Sequence, residues 1–336
     1  MKIFMRFSKI NQTILITLIA LGIPSLYSQT LLRASHQWPG GIGDIRDEMV
    51  QMIADNVNSS NLGIEIRVYP SQSLFKAADQ WSAMVRGRVD IIALPLDYAS
   101  GRHPEFNATL MPGLVKNHAH ARRLSESEFI ERIHGVIEGA GAVVLADAWL
   151  AGGFASNDRC ILSPEDIEGQ VIRAAGPAFE RMLVGAGASI TSMPSSEIYT
   201  AMQTGVLDAA NTSSASFMSY RIYEHTSCMT APGDNALWFM YEPVMISKRT
   251  WDRLTQSQRD GLLEAAQLAE VYFFEKAERL DTEMEEVFSE AGVQIVHMTA
   301  AQADEWRAIA FETSYKVFID EVPTGQELID LALSVE

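Results

Sequence analysis

With 336 residues, 47% of them hydrophobic, the chain is long enough for two lobes or one large α/β domain, and extensive disorder is excluded. Its 26 Lys and Arg against 43 Asp and Glu give a formal net charge of -17, which repels nucleic acid and anionic headgroups and excludes a DNA or RNA binder. Two cysteines cannot supply a four-thiolate metal site, and a chain of this size needs no disulfide framework.

Lys2, Arg6 and Lys9, with no acidic residue among them, precede the apolar stretch from Thr13 to Leu26 and the small Ser28. That is the three-part layout of a secretory signal peptide over residues 1–28. The stretch is shorter than the roughly 20 apolar residues of a membrane span and is broken by Gly22 and Pro24. Removing three positive charges would leave the exported chain at -20. An oxidising compartment permits a Cys160 to Cys228 disulfide, the other arrangement being two separate buried thiols.

Beyond the signal, Leu31 to His36 reads as a strand, broken by Trp38-Pro39-Gly40-Gly41 before a helical pattern from Asp44 to about Asn58. Ile64 to Tyr69 alternates as a strand does. A helix from Leu74 to Arg86 ends at Gly87, and Val89 to Leu94 is an apolar run stopped by Pro95. Strands separated by helices of this length predict parallel pairing with crossovers.

A similar order returns later: strand Val171 to Ala175, helix Ala178 to Ala186, strand Ile190 to Met193, helix Ser195 to Thr204 and strand Val206 to Ala210. Gly87-Arg88-Val89-Asp90 and Gly205-Val206-Leu207-Asp208 echo one another, in support of two similar lobes. Ser195 or Ser196 is the expected cap of its helix. From Thr255 to about Ala291 one helical pattern runs long enough, at roughly 50 Å, to span both lobes. Helices over Ala300 to Ile319 and Gly325 to Val335 complete the chain, and no low-complexity tether joins the lobes.

No nucleophile elbow, zinc pair, Walker loop or dinucleotide fingerprint occurs, so weight moves from catalysis towards binding without a metal or cofactor. His118 and His120 open a polar segment and read as a solvated face. Arg173 carries more information, because it stands in the small, apolar run Val171-Ile172-Arg173-Ala174-Ala175. A buried guanidinium requires an anionic partner, either a ligand carboxylate held by its planar fork or an internal acid. Asn211-Thr212-Ser213-Ser214 then supplies neutral hydrogen-bonding groups where ligands approach open α/β sheets, or else a turn.

At these residues the chain resembles the extracytoplasmic solute-binding proteins of TRAP transporters, the DctP-like group, over nearly all of its mature length. The resemblance rests on Asp166-Ile167-Glu168-Gly169-Gln170-Val171-Ile172-Arg173 and on the block from Ser192 through Met193-Pro194, Glu197, Tyr199 and Gln203-Thr204-Gly205 to Asp208-Ala209. Ala209 in place of the usual Gly, the Met193-Pro194 order and Gln170 are small departures.

The resemblance implies an α/β, two-lobed periplasmic-binding-protein fold, type II-like, with a long helix spanning both lobes. It divides the mature chain into lobe I (29–149 plus 236–280) and lobe II (150–235 plus 281–336). It further implies a periplasmic, monomeric receptor that closes on a small organic carboxylate and delivers it to TRAP permease membrane subunits driven by an ion gradient. The family's carboxylate-gripping Arg falls on Arg173 and its Asn on Asn211. The second Arg of sialic acid receptors is missing ahead of Ser156-Asn157, which argues against that ligand.

Ser213, Gln37 and Tyr98 are expected to face the cleft beside them, and Trp149 and Trp238 to be either cleft walls or core. The binding protein of an ATP-driven importer and an exported enzyme acting on a small carboxylate are the competing classes. The first lacks the block from Pro194 to Asp208, and the second requires turnover.

Overall fold

Two sheets carry the fold in the computed structural model, which describes residues 29–335. The signal peptide expected over residues 1–28 lies outside the described residues. In chain order the strands are β1 (Thr30–Ser35), β2 (Ile64–Tyr69), β3 (Ile91–Ala93), β4 (Ala142–Ala146), β5 (Trp149–Ser156) and β6 (Val171–Ala174). They continue as β7 (Ser189–Ser192), β8 (Ala209–Ser213), β9 (Cys228–Thr230), β10 (Trp238–Tyr241), β11 (Val244–Ser247) and β12 (Gln294–Val296).

The first sheet has the order β2-β1-β3-β11-β4, with β1 parallel to β2 and β3 and with β11 antiparallel to its neighbours. The second runs β12-β9-β5-β8-β6-β7, with β10 also paired to β5. Here β6 is parallel to β7 and β8. The chain passes from the first sheet to the second between β4 and β5 and returns between β10 and β11. Trp238–Tyr241, expected with lobe I, pair with Trp149–Gly152 and so belong to the second sheet.

Parallel strands need helical crossovers, and the apolar faces of those helices build the cores. Helix Ile45–Ser59 buries Met49, Val50, Ile53 and Val57 against β1 and β2. Helix Pro177–Gly185 buries Phe179, Met182 and Leu183 beside β6. Helix Gln256–Glu290, 35 residues long, opens on a capping box in which the Thr255 hydroxyl and the Gln258 side chain satisfy each other's backbone N–H groups. Its Leu262, Ala266, Ala269 and Phe273 pack into the first sheet's core, whereas Met284 and Phe288 pack with Phe217 and Met202 behind the second. One helix therefore braces both lobes.

Four further expectations are corrected. The strand expected over Val206 to Ala210 starts at Ala209, because Gly205 takes a φ of 71° and Val206 turns outward. Neither Ser195 nor Ser196 caps a helix by its side chain: Pro194 enters a short 3-10 turn, Ser195–Glu197, that leads into helix Ile198–Gln203. The helix expected from Ala300 to Ile319 is interrupted by a π turn at Phe311–Tyr315.

His118 and His120 do not form a solvated face. His120 is buried and its Nδ1 accepts from the Lys116 N–H at 3.2 Å. His118 Nε2 lies 2.8 Å from Asp281 on the long helix, whose other oxygen accepts from Ser214 at 2.6 Å. Cys160 and Cys228 are joined in a disulfide with a Cα separation of 5.1 Å.

Candidate functional site

The ends of β1, β3, β6 and β8 converge where the two sheets face each other, the place at which open α/β sheets present ligand-binding side chains. Arg173, the third residue of β6, is 1% exposed. Its Nε donates to Met193 O at 2.9 Å, Nη1 to Asn211 O at 2.7 Å and Nη2 to the Tyr98 hydroxyl at 3.1 Å. Tyr98 follows β3 of the first sheet and also accepts the Ser195 N–H at 3.0 Å, so one phenol ties both lobes together. Among the described residues no carboxylate pairs with Arg173. A guanidinium held only by neutral acceptors keeps its full charge available.

A second buried arginine is arranged in the opposite way. Arg46 is gripped in bidentate fashion by Asp44, at 2.9 and 2.8 Å, and reaches Glu242 at 3.4 Å. Its Nη1 also donates to Ser216 Oγ at 2.9 Å and Ser213 Oγ at 3.2 Å, and its guanidinium lies 4.5 Å from the ring centre of Trp38. Burial raises the Glu242 carboxyl to about 7, against the pull of Arg46. Arg46 is thus neutralised within the protein.

Around these two cations, several buried polar groups have no hydrogen-bond partner: both side-chain ends of Gln37 and of Asn211, Trp38 Nε1 and both oxygens of Asp97. Buried polar groups are ordinarily paired, so such a concentration marks a place built to receive a polar molecule.

The profile of the bacterial extracellular solute-binding protein family 7, DctP, matches residues 40–321. The chain belongs to this family, whose members are receptors of the TRAP type. A solute-binding protein of Albidiferax ferrireducens is 38% identical over 295 residues, 86% of this chain and 87% of that one. A TRAP periplasmic solute-binding protein from Rhodoferax ferrireducens, solved with bound malonate, superposes with a TM-score of 0.87 at 36% identity, covering 90% of this receptor and 98% of the relative. Another from Sulfitobacter, with bound β-D-galacturonate, gives 0.84 at 19% identity over 90% and 99% of the two chains, a likeness of fold.

Of the receptor's expected site residues, Arg173, Asn211 and Tyr98 come together, the guanidinium bonding Asn211 O and the Tyr98 hydroxyl, whereas Gln37 is buried on the first-lobe side with its backbone carbonyl held by the Tyr220 hydroxyl at 3.1 Å. Ser213 lies beside them, but its hydroxyl is occupied: it accepts the Ser216 N–H as a helix cap and a bond from Arg46. Trp149 is fully buried, donates its indole N–H to Ser125 at 3.1 Å and packs on Tyr241, which commits it to the core of the first lobe. Trp238 is buried with Phe154 and Trp306 behind the second sheet. It lies over Gly152, where a Cβ would come within 2.6 Å of the indole and 1.9 Å of Thr212 O. Only glycine lets these strands and the indole meet so closely.

Sequence reading missed Asp44, Arg46, Asp97 and Glu242. The signal for Glu242 was present, a lone charge in the apolar run from Leu237 to Ile246, and it is the same signal that singled out Arg173.

Proposed function

We propose that this receptor closes its two lobes on a small organic carboxylate gripped by Arg173, and then delivers it, as a monomer in the periplasm, to the membrane subunits of a TRAP permease. The observation that carries the reading is the contrast between the two buried arginines. Arg46 has its counter-charge on Asp44 and Glu242, whereas Arg173 has three neutral acceptors and, among the described residues, no carboxylate in contact, Asp97 and Glu242 acting on it only at longer range. A buried cation without a counter-charge is expensive, and a ligand carboxylate removes that cost.

Asn211 and Gln37 supply further donors and acceptors from opposite lobes, and Tyr98 is the contact that a closing first lobe brings to Arg173. Closure then follows from the ligand's preference for the state in which both lobes touch it. Malonate in the Rhodoferax relative makes short carboxylates the first compounds to test.

Isothermal calorimetry of the mature protein against organic acids tests the proposal, with mass spectrometry of the ligand recovered after denaturation. Binding that depends on Arg173, and return of the ligand unchanged, are the expected results. Turnover, or affinity indifferent to Arg173→Lys, would overturn it.

A further inference from the structure

Arg173 accounts for one end of a ligand, and what meets the other end is a question that rests on the reading above. Beside Arg173 a cavity of about 330 Å³ opens between the lobes. Asp97 and Tyr98 line it from one side, and Gly176, Met193 and Pro194 from the other. Tyr98 and Met193 also bond Arg173, so the cavity begins one layer of residues from the guanidinium.

Asp97 is 2% exposed, and neither of its oxygens has a hydrogen-bond partner. It reaches across to the opposite lobe so closely that a Cβ on residue 176 would lie 1.3 Å from its Oδ2. Position 176 must therefore be glycine for this carboxyl to enter the space. Burial, and next Glu180, hold the Asp97 carboxyl well above the ordinary range, with Arg173 and then Arg181 opposing. A ligand carboxylate brought here would add a third acid beside Asp97 and Glu180, and would pair with Asp97 only while that carboxyl keeps its proton. A hydroxyl or ammonium would instead donate to an acceptor that has none of its bonds made.

We propose that this cavity is a second subsite of the cleft, in which Asp97 receives a hydrogen-bond donor at the ligand end remote from Arg173, so that the receptor selects carboxylates with a distal hydroxyl or ammonium over matched dicarboxylates. Malonate and galacturonate, bound by the two structural relatives, fall on opposite sides of this choice.

The test is calorimetry of the full mature chain with matched compounds: malonate against 3-hydroxypropionate, succinate against 4-hydroxybutyrate and 4-aminobutyrate, glucarate against gluconate. In at least one set the donor-ended acid should bind about tenfold tighter than its dicarboxylate, the worth of about one satisfied buried hydrogen bond. Asp97→Ala should bring the two to within about twofold of each other, and Gly176→Ala, which fills the same space from the other lobe, should do likewise. Asp97→Asn, closest to the native shape, separates the two donors: it keeps an acceptor for a hydroxyl and loses the charge that an ammonium would use.

Dicarboxylates binding as tightly or more tightly in every set, or a preference that survives Asp97→Ala, would overturn the proposal. A ligand that depends on Arg173 and is indifferent to Asp97 overturns this inference alone. Absence of binding across all sets, or binding indifferent to Arg173→Lys, overturns the carboxylate reading and this inference with it.

Discussion

The two lobes repeat one backbone device and then diverge at the residues of the proposed binding site. Gly87 and Gly205 each take a φ of 71° after a helix, and three residues on stands an aspartate. In the first lobe Asp90 Oδ2 accepts the Arg33 N–H at 2.9 Å while the Asp90 N–H donates to Arg33 O at 3.1 Å. In the second, Asp208 Oδ2 accepts the Val171 N–H at 2.8 Å and its N–H donates to Val171 O at 2.9 Å. Arg33 and Val171 lie on β1 and β6, each the strand flanked by two parallel partners.

Counting onward from these matched pairs, Arg173 falls opposite Ser35, and Asn211 opposite Ala93. On the proposed reading, the carboxylate anchor therefore stands in the second lobe alone. The first lobe's part in that reading is Gln37, Trp38, Asp97 and Tyr98, which lie in the segments beyond β1 and β3.

The largest test of this asymmetry concerns the disulfide, which lies in the second lobe. Cys160 and Cys228 close a loop of 68 residues, for which chain-entropy arguments give about 4 kcal/mol. The Cys160→Ser, Cys228→Ser double variant should lose that order of stability in urea denaturation followed at pH 7. A loss below about 1 kcal/mol would show that the second lobe does not depend on the clamp.

Next in size is Arg173→Lys. A point charge cannot replace a fork that reaches Met193, Asn211 and Tyr98 together, and the expected cost is about 2 kcal/mol, or roughly thirtyfold in Kd. Its counterpart in the first lobe, Ser35→Ala, removes a buried hydroxyl that has no partner and should change affinity by less than about threefold. Equal effects of the two would break the assignment of the anchor to the second lobe.

The repeated aspartates sharpen the comparison at smaller scale. Asp90→Ala and Asp208→Ala each remove an acceptor from a strand N–H, at about 1–3 kcal/mol apiece. Asp90 also accepts from Thr250 Oγ1 at 2.9 Å, a bond for which Asp208 has no equivalent, so the first-lobe variant should be the more costly. Chemical denaturation of the two variants checks the order, and a costlier Asp208→Ala would contradict it.

Much of this frame is legible in the sequence because it depends on short-range chemistry. Gly-x-x-Asp after a helix, alternation in Ile64 to Tyr69 and the uninterrupted pattern from Thr255 onward each report local backbone preferences. Arg173 was legible for another reason, since a charge in an apolar strand needs a partner wherever the strand lies. Arg46 was not, because on the helix Ile45–Ser59 it stands beside Asp44, Asp47 and Glu48 and reads as one residue of a polar surface. Only the meeting of that helix with Ser213, Ser216 and Glu242, some 170 to 200 residues later, buries it. His118 and Asp281 were hidden in the same way, being partners across 163 residues.

The last comparison belongs to neither lobe but to the crossing between them. Glu242 sits between β10 of one sheet and β11 of the other, and burial raises its carboxyl from 4.5 to about 7. Between those values the folded protein holds a proton that the unfolded chain has released. Stability from this group is therefore greatest at the acid end, falls as pH rises from 4.5 towards 7, and is gone above it. Glu270 on the long helix is raised to about 7, chiefly by burial, and contributes with the same sign, so the slope is shared. Glu242→Gln should remove its own part of the slope and leave that of Glu270. Denaturation midpoints of the variant and the parent should accordingly diverge across the window and run parallel above it. Curves parallel throughout would mean that Arg46 already holds Glu242 ionised in the folded state, and that the crossing is a settled ion pair at every pH tested.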